Sequence, residues 1–166
     1  MMAAAIRVLY VDDESALLDI GKLILEQSEN FTVTTILNAP AALRLLEQTK
    51  FDAIVSDYQM PKMDGIRFLN EVRSRFGSIP FILFTGRGRE EVVLQAINSG
   101  ADFYLQKGGD ADSQFAELAH KIKQAVSRKI AEESLREHDE RISLLLNSTA
   151  EAIYGCLLYT SDAADE

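Results

Sequence analysis

FDAIVSDYQMPKMDG, running from Phe51 to Gly65, reads as a short buried strand, Asp52 to Ser56, that delivers one carboxylate, Asp57, into a loop. Pro61 and Gly65 then stiffen and turn that loop. A single Asp at a strand end is ordinarily a turn former or a helix cap. Here a second apolar run, Ile6 to Val11, ends on Asp12 and Asp13. If the two strands are parallel, their ends open on the same edge of a sheet and three carboxylates meet in one crevice. Such crowding is costly unless a cation or a phosphoryl group belongs there.

The rest of the chain alternates short apolar runs with stretches of helical period. Ile6–Val11 is near-continuously apolar, as a strand covered on both faces should be. From Ser15 to Gln27, Leu17, Ile20, Gly21 and Ile24 recur at helical spacing, with Leu18 and Leu25 widening the stripe. Phe31–Ile36 is rich in β-branched residues and predicts a second strand. Asn38 is an N-cap candidate with Pro40 in the first turn, opening a helix that turns Ala42, Leu45 and Leu46 inward. A helix from Asp64 to Arg75 follows the Asp57 loop, carrying Ile66, Leu69 and Val72. Ile79–Phe84 is the fourth strand and stops at Thr85-Gly86. Arg89–Ser99 is helical, with Val92, Val93, Ala96 and Ile97 apolar and Gly100 as its stop. Asp102–Leu105 is the fifth strand, ending at Gln106-Lys107, before Gly108-Gly109 break the chain. A long helical pattern starts near Asp112 or Ser113, with Phe115, Leu118, Ala119, Ile122 and Val126 on its inner face.

Five strands alternating with five helices predict an open parallel sheet wound on both sides, with ligands beyond the C-terminal strand ends. Those ends carry Asp12 and Asp13, Asp57, Thr85 and Lys107. Taken singly, each has a bland reading: a cap, a strand-end hydroxyl, a solvated lysine. Jointly they supply acid, hydroxyl and amine at four of the five strand ends. Carboxylates are hard ligands suited to Mg²⁺, and a backbone carbonyl, most plausibly that of Gln59, could join them. A lysine places a point charge beside a carboxylate or phosphate. Thr85 offers a hydroxyl to a phosphoryl oxygen. Phosphoryl transfer rests on positioning and charge neutralisation, with Asp57 as the nucleophile that becomes an acyl phosphate.

Composition narrows the field. A chain of 166 residues with 47% hydrophobic and 26% charged residues suits one well-buried domain with some chain left over. The net charge of −9 argues against nucleic-acid binding, although four unbalanced acids between Glu151 and Glu166 inflate it. No apolar run approaches the roughly 20 residues that span a bilayer, and the N-terminus lacks a signal-peptide layout. Cys156 stands alone, which excludes an intrachain disulfide. The expected setting is cytoplasmic, with no membrane partner.

VLYVDDES, FDAIVSDYQMPKMDG, ILFTG and ADFYLQK, in that order and spacing, resemble the receiver domain of two-component response regulators over Ile6 to about Arg128. The resemblance implies a flavodoxin-like α/β fold, a doubly wound five-stranded parallel sheet of order 2-1-3-4-5 with five helices. It implies that Asp57 is the phosphoacceptor and that Asp12 and Asp13 help it hold Mg²⁺. Thr85 is then the switch hydroxyl, Tyr104 the switch aromatic, and Lys107 the lysine on the phosphoryl group. Phosphorylation would draw Thr85 inward, with Tyr104 following and the face of the fourth helix, fifth strand and fifth helix changing. The implied donor is a sensor histidine kinase or phosphotransfer protein, and the protein is not a conventional enzyme. Homodimers through that face or through a linker helix are the expected assemblies. One departure is Gly108, where the family usually has a proline joined by a cis bond; a trans bond, or a substitute geometry enabled by glycine, is expected here. Gln59, Gly86 and Arg87 rim the site, with Gly86 leaving room for the phosphoryl group. Gln59 and Arg87 are expected to set the dephosphorylation rate.

The expected division is a receiver at 5–128, a linker helix at 129–147 and a terminal piece at 148–166. Leu135, His138, Ile142 and Leu145 fall on a short heptad seam, readable as a coiled coil or as one solvated helix, and His138 is read as a surface histidine. Ile142 to Gly155 resembles the entry of a PAS sensory domain, too short to fold, and Cys156 to Glu166 reads as non-native. The other function classes are a stand-alone adaptor receiver, an aspartyl-phosphate hydrolase and a DNA-binding regulator. The hydrolase is disfavoured by Gln59, where such enzymes carry a second Asp, and the DNA binder by the lack of a helix-turn-helix.

Overall fold

The computed structural model describes residues 4–28, 30–86, 88 and 90–164, the side chains of 159–164 excepted. The elements are β1 Ile6–Val11, α1 Ser15–Gln27, β2 Phe31–Ile36, α2 Ala39–Gln48, β3 Ala53–Ser56, α3 Gly65–Phe76, β4 Phe81–Thr85, α4 Glu90–Asn98, β5 Phe103–Gln106 and α5 Ala111–Ala164. All strands are parallel, in the order β2-β1-β3-β4-β5. The predicted fold class is therefore the observed one.

The period-2 alternation of the strands divides the interior into two cores, one on each face of the sheet. Val8, Tyr10, Val55, Ile82 and Phe84 face a core completed by Leu18, Leu25, Phe115, Leu118 and Ile122 of α1 and α5. Leu9, Val11, Ile54, Phe81 and Leu83 face the other, completed from α2, α3 and α4 by Leu43, Leu46, Phe68, Leu69, Val92 and Ala96. Gly21 is required on the first side because a Cβ there would meet the Tyr10 ring at 2.6 Å and Phe115 at 2.8 Å.

Local signals account for most boundaries. The Asn38 side chain accepts the Ala41 N–H at 2.9 Å, and Asp64 accepts that of Arg67 at 2.8 Å, so both helices start on side-chain caps. Gly100 ends α4 at φ 91, and the Ala101 N–H closes on the Ala96 carbonyl at 2.9 Å. Asp52 precedes β3 rather than opening it, because its side chain takes the Arg7 N–H at 2.8 Å and pairs with the Arg7 guanidinium. β4 starts at Phe81 and not at Ile79, since Pro80 has no N–H to give the ladder. The buried stripe of α1 centres on Leu18, Gly21 and Leu25, which leaves Ile20 exposed; Leu45 of α2 is half-buried and Ile97 of α4 exposed.

The chain falls into two compact units, up to Ser127 and from Arg128, and α5 runs through both. In the second unit every described residue is helical to Ala164, with i,i+4 pairs Arg128–Glu132, Lys129–Glu133 and Arg136–Glu140. Leu135, His138, Ile142 and Leu145 are exposed there. Ile142–Gly155 continues as helix with no strand after it among the described residues, so the expected sensory-domain entry finds no support. No helix among the described residues is long and apolar enough to cross a membrane.

One side chain ties the N-terminal edge of the sheet together. Arg73 of α3 donates to the carbonyls of Ile79 at 2.7 Å, Gly77 at 3.2 Å and Gly100 at 2.7 Å, and pairs with Asp102 at 3.3 Å. Asp102 in turn accepts the Phe81 N–H at 2.8 Å. A planar fork with five donors suits this convergence, and an ammonium does not. Arg73→Ala should destabilise the protein by about 2–3 kcal/mol in urea unfolding, with Arg73→Lys recovering less than half.

Candidate functional site

The site is assembled by backbone pairing at the C-terminal strand ends. β1 and β3 are neighbours with Val11 opposite Ser56, and the Asp57 N–H extends their ladder to the Val11 carbonyl at 2.9 Å. Asp12 and Asp57, each one residue past a strand, are thereby set side by side. Across β4 and β5 the Lys107 N–H reaches the Thr85 carbonyl at 2.8 Å, which brings the lysine to the same edge. Asp12, Asp57 and Thr85 are buried, whereas Asp13 is exposed. One carboxylate oxygen from each of Asp12, Asp13 and Asp57 lies within 4.8 Å of the others.

Lys107 bridges the acids. Its Nζ donates to Asp12 Oδ2 at 2.6 Å and stands 3.6 Å from Asp57 Oδ1. The Glu14 N–H donates to the other oxygen of Asp12 at 2.9 Å, and the Tyr58 N–H donates to Asp57 Oδ1 at 2.8 Å. Burial pushes the Asp57 carboxyl above its ordinary range; Lys107 opposes this, Asp12 adds to it, and hydrogen bonds from Thr85 and the Tyr58 N–H hold it down. A buried carboxylate beside a second one and near a third could hold a hard cation, and carboxylate oxygens are the ligand type Mg²⁺ takes.

The loop after Asp57 is tightly determined. The Met63 N–H closes on the Pro61 carbonyl at 2.9 Å with Lys62 at φ 72, a three-residue turn held in a strained conformation. Gly65 returns to the site, its N–H on the Tyr58 carbonyl at 2.8 Å, and a Cβ there would strike the backbone carbonyl of Asp57. Glycine is needed for that close approach as well as for turning. Gln59 is exposed and lines a groove of about 550 Å³ with Asp13, Tyr58, Met60, Pro61 and Asp64.

Gly86 is exposed, with Lys107 carbons 4.0 Å from where a Cβ would stand, so the protein itself leaves that space open. Arg87, expected on the rim, lies outside the described residues. The Lys107–Gly108 bond is trans, as the lack of proline predicts, and Gly109 takes the left-handed turn at φ 83. Phe84 was legible in the sequence only as a core residue. It also underlies the site, with Lys107 Nζ 5.6 Å from its ring and Phe115 of α5 5.7 Å away on an edge contact.

A doubly wound parallel sheet that gathers an acid cluster and a lysine at its C-terminal strand ends has its candidate site where such α/β folds bind ligands. The chain belongs to the response regulator receiver domain family, whose sequence profile matches residues 8–123. It is similar to response regulator Rre1 of a Synechocystis strain, at 35% identity over 67% of this chain and 49% of that one. It is also similar to the transcriptional regulatory protein FixJ of Bradyrhizobium diazoefficiens, at 31% identity over 71% of this chain and 57% of that one. The chain thus spans about half the length of these curated relatives. Among solved structures, a receiver domain protein from Clostridium thermocellum aligns at TM-score 0.68 and 30% identity, covering 76% of this chain and 98% of that one. A CheY-like receiver domain protein from Methanospirillum hungatei aligns at TM-score 0.67 and 26% identity, covering 75% and 99%.

The raised proton affinity of Asp57 has a pH signature. Below its ordinary value of 3.8 the group is protonated both folded and unfolded, and ionisation costs the fold nothing. Above that value the unfolded chain ionises first, so the fold loses stability as pH rises through the folded value. Asp57→Asn should therefore stabilise the metal-free protein at neutral pH by on the order of 1 kcal/mol. Urea midpoints measured from acid to neutral pH should show that gain shrinking toward zero at the acid end. A gain independent of pH would mean that ionisation is not its source.

Proposed function

We propose that this protein is the phosphoacceptor module of a two-component phosphorelay, taking a phosphoryl group from the phosphohistidine of a sensor kinase or phosphotransfer protein onto Asp57. The observation that carries this reading is Lys107 held between the carboxylates of Asp12 and Asp57, at 2.6 and 3.6 Å. An Asp57 oxygen attacks phosphorus, the P–N bond to the donor imidazole breaks as the new P–O bond forms, and an acyl phosphate results. Asp12, Asp13, Asp57 and the Gln59 carbonyl would hold Mg²⁺, which when bound neutralises charge on the transferring group. Lys107 is poised to exchange its bond to Asp12 for one to a phosphoryl oxygen. The Thr85 hydroxyl, buried at the end of β4, can donate to another.

In this reading the protein promotes its own phosphorylation and dephosphorylation and is not a conventional enzyme. Thr85 moving toward the phosphoryl group frees space for Tyr104, and the surface of α4, β5 and α5 changes with it. Leu94 and Ile97 are exposed on α4, and Leu135, Ile142 and Leu145 on the helix past Arg128. These are the two surfaces by which copies of the chain would pair. Gln59, on the groove beside the acids, would order the water that ends the phosphorylated state. The setting is cytoplasmic, with neither nucleic acid nor membrane as a direct partner.

Incubation with Mg²⁺ and acetyl phosphate, followed by intact mass, should add one phosphoryl group to the wild type and none to Asp57→Asn. Asp13→Asn should slow labelling by about 10–100-fold, and a chelator should stop it. A wild type that takes up no phosphate, or an Asp57→Asn variant that labels equally, contradicts the proposal.

A further inference from the structure

Tyr104 faces the α2–α4 side of the sheet and packs against that core. Its ring is half-buried and its hydroxyl fully buried, with no hydrogen-bond partner among the described residues. What the hydroxyl meets is Gly88, in the β4–α4 loop. A Cβ built on Gly88 would collide with Tyr104 Oη and stand 3.3 Å from Cζ and 3.6 Å from Cε1. The nearest atoms that a side chain at position 88 would meet are all those of Tyr104. Gly86, the other glycine of the loop, has no neighbour closer than 4.0 Å to its would-be Cβ, so the restriction belongs to position 88.

We propose that Gly88 is a positioning residue: its missing side chain admits the Tyr104 hydroxyl to the β4–α4 loop, and any larger residue at 88 turns Tyr104 outward. A buried hydroxyl without a partner forfeits its hydrogen bonds to water. Among the described residues only packing holds Tyr104 inward, and one methyl group is enough to remove that packing. The regulatory meaning rests on the reading of Thr85 and Tyr104 as a switch; the steric relation does not. Position 88 then sets how the protein divides itself between inward and outward Tyr104 before any phosphoryl group arrives.

The test uses the full chain with ¹³C-labelled tyrosine and NMR, the Tyr104 signal being assigned by its loss in Tyr104→Phe. In the wild type, burial should hold the Tyr104 phenol above its usual titration range. In Gly88→Ala the titration should fall back toward about 10, with the shift of an exposed ring. An unchanged Tyr104 titration in Gly88→Ala overturns the proposal. A second measurement covers instability of that variant. With Tyr104→Ala as background, Gly88→Ala should raise Tm by roughly a few degrees, because the Tyr104 atoms nearest the alanine are gone and the substitution restricts the unfolded chain. With Tyr104 present that rise should be absent or reversed, and equal changes in both backgrounds also overturn the proposal. Acetyl phosphate labelling of the same samples separates the two readings. Loss of labelling in wild type and variant together overturns the role of Asp57 while the Tyr104 signal still decides position 88.

Discussion

One ammonium group stands against three carboxylates at the C-terminal edge of this sheet, and the rest of the molecule is arranged so that it can. Asp12 reaches it because β1 is an interior, buried strand; Asp57 because the central strand β3 pairs with β1 in a register that levels their ends. Lys107 itself comes from the end of the half-exposed edge strand and reaches Asp57, past a strand two places away, and Asp12, past one three places away. No local segment contains more than two members of the cluster. Contacts 95 residues apart in sequence, such as Lys107 to Asp12, exist only once the whole sheet has formed.

The balance at that edge is deliberately incomplete. Lys107, Thr85 and the Tyr58 N–H do not cancel the burial and crowding of Asp57, which keeps its proton more tightly than a solvated carboxyl does. A site fully neutralised by its own side chains would have no use for a cation and little affinity for a phosphoryl group. Natural proteins commonly trade stability for such poise at functional positions. Here the tightly determined turn at Lys62 and the Gly65 approach hold the uncomfortable carboxylate where relaxation cannot move it away.

Much of this was legible in the sequence, for reasons that differ by element. β1 and β2 and α1 declare their bounds because apolar runs and helical periods stop there at polar residues. The strand-end acids, Thr85 and Lys107 were legible because a parallel sheet collects its C-terminal ends on one edge. The face of α1 was displaced by a residue or so, because Leu, Ile and Gly at 18 to 25 offer two overlapping stripes. Only the neighbouring Tyr10 and Phe115 rings choose between them. What Phe84 does beneath the site and Gly88 beside Tyr104 could not be found by pattern. Their roles follow from what lies opposite them, on Lys107 and Tyr104, and a linear sequence does not write down opposites.

The two-sided core has a consequence for how such a protein can diverge. Residues of one strand parity, ending in Asp12, Asp57 and Lys107, belong with the α1 and α5 face, while Tyr104 packs with the α2–α4 face. Chemistry and readout are therefore inherited on opposite sides of one sheet, joined at the edge by Thr85. A lineage can rewrite α4 and its loop to suit a new listener while the acid cluster keeps its surroundings. Equally, it can retune the lifetime of the signal from the other side without retraining the listener.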